Sequence, residues 1–125
     1  MNANECDDIV RLVIGRAFVV SNLLGAGFVE KIYENALAIE LREAGSSVRQ
    51  QHGITVHYKG TIIGSYAADL LIEDAVLVEL KAVRALEIAH HTQCLNYLKA
   101  TNISLCLLIN FGNPRAQIKR FANTL

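Results

Sequence analysis

The sequence predicts a mixed α/β domain: a three-stranded antiparallel meander and one further buried strand, flanked by helices. Three observations carry this. Apolar residues recur at helical spacing up to Gly45, the period changes to two from Val48 to Lys81, and helical spacing then returns before "ISLCLLINF", a run apolar on both faces. With 125 residues and 52% hydrophobic content, the chain has the size of one globular domain, residues 1–125, and can bury a core.

Each element has its own local cause. Asn4 is the expected N-cap of helix one, acidic residues fill the next turn, and Ile9, Leu12, Val13, Arg16, Ala17 and Val20 continue at helical spacing to about Leu24. "GAG" at 25–27 breaks it. Helix two runs through "FVEKIYENALAIELREAG", with apolar residues at Phe28, Ile32, Leu37 and Leu41 and Gly45 as the residue beyond its end. Ile54, Val56 and Tyr58 then alternate with Thr55 and His57, and Lys59-Gly60 makes a hairpin turn into "TIIGSYAADLLI". A second turn around Glu73-Asp74 leads into "AVLVELKAV". "LEIAHHTQCLNYLKA" reads as helix three, and "AQIKRFA" as a short closing element.

Composition narrows the function. Twelve basic and 12 acidic residues cancel, so no overall basic field drives nucleic-acid binding, and any such surface is a local cluster. Cys6, Cys94 and Cys106 are odd in number and form no C-x-x-C pair, which speaks against a disulfide framework and a structural zinc site. A reducing cytoplasm is the expected setting. Glu5, Asp7 and Asp8 stand where a signal peptide carries basic residues, and the apolar run Ile103 to Ile109 is too short to span a bilayer. His90 and His91 point about 100° apart on a helix, so they cannot chelate together as an i, i+4 pair does. No P-loop, dinucleotide glycine fingerprint or serine nucleophile elbow occurs.

The chemistry gathers at "VELKA". Glu79 and Lys81 lie two residues apart on a strand and face one side of it. Asp69, in "AADLLI", interrupts one face of the preceding strand, while Ala68, Leu70 and Ile72 mark the other. Register decides whether the two carboxylates meet. A three-residue connection, Glu73, Asp74 and Ala75, pairs Ile72 with Val76 and puts Asp69 opposite Glu79; a two-residue turn separates them. Opposed carboxylates need a proton, a cation or water between them. Hard oxygen donors suit Mg2+ or Mn2+, and Lys81 beside them can orient water or hold a phosphoryl group. The competing reading is a surface ion-pair ladder.

"GFVEKIY" at 27–33, "ADL" at 68–70, "VELKA" at 78–82 and "HTQCLNYLKA" at 91–100 together resemble the GxxExxY family of the PD-(D/E)XK nuclease superfamily, in the family's order. The resemblance implies a restriction-endonuclease-like core, with Asp69 and Glu79 as metal ligands, Lys81 as the catalytic lysine and the Leu80 carbonyl as a further ligand. It makes Glu30 a direct or water-mediated ligand. The alternative is a first-turn glutamate favoured by the helix dipole, with Tyr33 as partial core. Gln93 and Tyr97 resemble a Gln-x-x-x-Tyr motif that holds substrate or orients the lysine. Lys31, Tyr33, Arg84 and Lys99, in or beside these blocks, are the expected nucleic-acid contacts.

The expected function is a Mg2+- or Mn2+-dependent phosphodiesterase acting on nucleic acid, DNA ahead of RNA. Its rival is a nuclease-fold nucleic-acid-binding or protein-interaction module with little or no catalytic activity. A mean hydropathy of +0.28 is high for a small soluble chain, and a homodimer is the expected assembly.

Overall fold

The computed structural model describes residues 2–123. Two helices come first, α1 (Ala3–Leu24) and α2 (Glu30–Glu43), followed by β1 (Val48–Tyr58), β2 (Thr61–Ile72) and β3 (Val76–Lys81). Then come α3 (Ile88–Ala100), β4 (Leu105–Asn110) and β5 (Gln117–Ala122). The strands form one sheet in the order β1-β2-β3-β4-β5, antiparallel except where β3 and β4 run parallel. Parallel neighbours need a crossover, and α3 supplies it.

Both faces of the sheet are covered. Val10, Val13, Ala17 and Val20 of α1 and Leu37, Ala38 and Leu41 of α2 pack on Leu70, Val78, Leu80, Leu107 and Ile109. On the other face Cys94, Tyr97 and Leu98 of α3 pack on Leu71, Leu77, Cys106 and Leu108. Because β4 lies between covered faces, all six of its residues are buried, as its unbroken apolar run predicts.

Four local expectations change. The cap of α1 is Asn2, whose side chain accepts from the Glu5 amide, two residues before the expected Asn4. Phe28 precedes α2 and Ile32 lies on its exposed side; the buried stripe is Tyr33, Glu34, Leu37, Ala38 and Leu41. "QIKRFA" is a fifth strand on the free edge of β4, mostly exposed, so its apolar pattern is too thin to mark it. Ala68 does not share a face with Leu70 and Ile72: it packs with the α3 core, they with the α1 and α2 core.

That last change has a backbone cause. Gln50 pairs with Leu70 and His52 with Ala68, leaving Gln51 and Asp69 unpaired between them. Gln51 has φ +53°, a left-handed conformation rare for a residue with a side chain, and it interrupts the alternation of the pleat. Val48 therefore packs toward the α1 and α2 core while Ile54, six residues on, packs toward α3. The outer half of the β1–β2 hairpin leans over α3.

The hairpin turns are as the residues predict. Lys59 and Gly60 both have positive φ, as a tight two-residue hairpin turn requires. Glu73 and Asp74 likewise have positive φ, and Ile72 pairs with Val76 across the three-residue connection.

Candidate functional site

The site lies where β2 and β3 part. Their pairing runs Ile72 with Val76, Leu71 with Leu77 and Leu70 with Val78, then stops. Asp69 and Glu79 are the next opposed residues. β3 continues alongside β4 as far as Lys81 with Asn110, while β2 follows β1 away. Side chains replace the missing ladder bonds: the Leu80 amide donates to Asp69 Oδ2 at 2.7 Å, and the Asp69 amide donates to Glu79 Oε1 at 3.2 Å. Backbone groups at the fork are satisfied by the two carboxylates themselves.

Glu79 is only 4% exposed. Burial is the largest influence on its carboxyl, followed by the charge of Asp69, and together they raise its pKa to about 8 against the partial opposition of Lys81. Near neutral pH the metal-free pair holds a proton. Lys81 Nζ is 3.9 Å from Glu79 Oε2, with 17% of its side chain exposed. Tyr97 Oη donates to the same oxygen at 3.4 Å, and Gln93 Nε2 donates to Tyr97 Oη at 3.0 Å. Burial and the neighbouring Glu79 push the Tyr97 hydroxyl well up, so it stays protonated and serves as a donor. The fold thus brings Asp69, Glu79, Lys81, Gln93 and Tyr97 into one chain of contacts.

A second carboxylate arm reaches Asp69 from α2, and it belongs to Glu34. This residue is 2% exposed, and its two oxygens accept from Gln50 and Lys31 on one side and from Gln51 on the other. Gln51 Nε2 donates to Glu34 Oε1 at 2.6 Å and to Asp69 Oδ1 at 3.2 Å. Glu34, Gln51, Asp69, Glu30 and Lys31 line one open hollow of about 580 Å³. Glu30 stands exposed on its rim at the start of α2. The sequence does carry a signal for Glu34: it occupies the stripe of Leu37, Ala38 and Leu41, where a carboxylate needs partners.

Other expected residues lie elsewhere. Tyr33 is fully buried: its ring stacks on Phe111 with centroids 4.6 Å apart, its hydroxyl donates to the Gly25 carbonyl and accepts from the Phe28 amide. It therefore ties the α1–α2 connector to the core and has no surface for nucleic acid. Arg84 sits exposed in the bend after β3, and Lys99 is exposed on α3, where it shares a hollow with Thr55, His57 and Tyr66 of the β1–β2 hairpin. Asn110, also fully buried, clamps the segment that follows Lys81: its side chain accepts from the Val83 amide and donates to the Val83 carbonyl. Gly112 is required beside it, since a Cβ there would stand 1.9 Å from the Val83 oxygen.

Among the described residues no group of three or more His, Cys, Asp or Glu side chains forms a ready-made metal cage. The donors present are two carboxylates at the fork and the carbonyl of Leu80 between Glu79 and Lys81. That hard, oxygen-only and incomplete set suits a small divalent cation that keeps several waters. Among the described residues no helix is long and apolar enough to cross a membrane.

Two solved structures share this fold. The crystal structure of SSO0001 aligns with TM-score 0.62 and 17% identity, over 77% of this chain and 51% of that one. An alkaline exonuclease from Laribacter hongkongensis, LHK-Exo, aligns with TM-score 0.55 and 17% identity, over 75% of this chain and 56% of that one. The chain thus corresponds to little more than half the length of either, and at this identity the likeness speaks for the fold alone. No curated protein sequence matches the chain. The family described as the PD-(D/E)XK nuclease superfamily matches residues 7–121, which include every residue of the fork. A five-stranded, helix-flanked sheet of restriction-endonuclease type, with this family match across nearly its whole length, makes the chain a member of the PD-(D/E)XK nuclease superfamily.

Proposed function

We propose that the protein is a metal-dependent phosphodiesterase that cuts nucleic acid, DNA ahead of RNA, in the GxxExxY branch of its superfamily. The observation that carries this reading is the fork: Asp69 opposite Glu79 with Lys81 beside them, in a chain of a nuclease superfamily. Asp69, Glu79 and the Leu80 carbonyl would hold Mg2+ or Mn2+, which when bound supplies a Lewis acid for a phosphoryl oxygen and lowers the pKa of water.

The chain's own residues supply the rest. Tyr97 and the Asp69 amide hold the two oxygens of Glu79 in place, so little reorganisation is needed when charge develops. Lys81, mostly withdrawn from solvent, offers its ammonium to a phosphoryl group that becomes more anionic in the transition state. Glu34 acts through Gln51, fixing the orientation of Asp69. Glu30 lines the same hollow and would hold a water there.

Titration with Mn2+ beside a nicking assay, on the wild type and Glu79→Ala, tests the proposal. The wild type is expected to bind the ion and cut, and the variant to do neither. Metal binding undiminished in Glu79→Ala would overturn it.

A further inference from the structure

Two hollows lie on the α3 side of the hairpin, of about 420 Å³ and 470 Å³, and they share Tyr66 and Asn96. The first continues past Thr55 and Lys99, the second past Thr92 and Gln93 to Tyr97. Tyr97 hydrogen-bonds Glu79, so the second hollow ends one side chain away from the fork. The groove that the two hollows make exists because the left-handed Gln51 turns the outer hairpin toward α3.

Tyr66 sits where the hollows join. It is 52% exposed, and its ring lies 5.6 Å from that of Tyr97, tilted by 53°. Among the described residues neither hollow is lined by a carboxylate, whereas the hollow on the Glu34 side has three. The walls offer amides and hydroxyls, one lysine, the imidazoles of His57 and His90, and the half-exposed ring of Tyr66. Grooves that take single strands of nucleic acid combine a positive wall with aromatic rings on which bases stack. Each hollow has the volume of a small-molecule pocket, room enough for a nucleotide.

Resting on the phosphodiesterase reading of the fork, we propose that this groove carries a single strand of nucleic acid, one base stacked on Tyr66 and the backbone passing Lys99. A phosphate further along the strand meets Lys81 and the cation that Asp69 and Glu79 would hold. A duplex substrate therefore has to present an unpaired end or flap.

The test measures anisotropy of a short labelled oligothymidylate and of a duplex of equal length, with Mg2+, on a Lys81→Ala background that leaves the strand uncut. Tyr66→Ala is expected to raise the Kd for the strand by about five- to hundredfold, and Tyr66→Phe, which keeps the ring face, to recover most of that affinity. Lys99→Gln should reduce the dependence of log affinity on log salt by about 0.7. Thermal midpoints of the Tyr66 variants should match the parent, because half of the side chain already faces solvent. An unchanged Kd in Tyr66→Ala, duplex binding tighter than strand binding, or no strand binding by the parent would overturn the groove. The two readings separate in a cleavage assay on the native background. Cutting that survives Tyr66→Ala at full rate removes the groove and keeps the nuclease; Tyr66-dependent strand binding without metal-dependent cutting keeps the groove and removes the nuclease.

Discussion

Asp69 and Glu79 each hold the other's strand at the fork, Asp69 through the Leu80 amide and Glu79 through the Asp69 amide. The arrangement confines the buried carboxyl of Glu79 against the half-buried Asp69, and its proton has a thermodynamic consequence. Glu79 has its pKa raised from 4.5 to about 8, so between those values the folded chain keeps a proton that the unfolded chain has released. Its contribution to stability is full below about 4.5 and is lost as pH rises through about 8. In EDTA, the thermal midpoint of the wild type relative to Glu79→Gln should fall across that window. A difference independent of pH would contradict the confined proton.

Lys81 opposes the charge of any cation held at the fork. Lys81→Ala should therefore leave metal affinity equal or improved, and lower the cleavage rate by a factor on the order of a hundred or more. Asp69→Ala and Glu79→Ala should lose both. Calorimetric metal titration beside a cleavage assay on the three variants checks this; loss of metal binding in Lys81→Ala would reassign the lysine.

Gln51 combines a strained backbone with a bridging side chain. Gln51→Gly and Gln51→Ala both remove the bridge, but only glycine accepts φ +53° without a steric cost. The glycine variant should be the more stable by about 1 kcal/mol in urea unfolding. Both should lose the same share of cleavage activity, since both free Asp69 from Glu34. Equal stabilities would remove the strain, and full activity in either would remove the positioning role.

Asn110 satisfies both backbone groups of Val83 from within the core. Asn110→Ala leaves that amide and carbonyl without partners and should cost about 1–3 kcal/mol in stability, read from the urea midpoint at unchanged slope. A loss under about 0.5 kcal/mol would mean that water replaces the clamp.

Local sequence narrowed the centre of the site to two registers, and the structure takes the three-residue connection Glu73, Asp74, Ala75, which puts Asp69 opposite Glu79; the run "LCLLIN" by itself declares a strand buried on both faces. Helix periods and the Lys59-Gly60 turn were legible for the same reason, each being set by neighbours a few residues apart. Only the tertiary structure decided that Glu34 is the buried carboxylate linked to Asp69 while Glu30 stays exposed, because helix spacing puts both on one side and packing against β1 chooses between them. It also decided the burial of Tyr33, the edge pairing of β5 and the turn of the hairpin toward α3. That turn depends on a left-handed glutamine, which no residue-type rule announces: the side-chain bonds to Glu34 and Asp69 that accompany the strain come from elements 17 and 18 residues away.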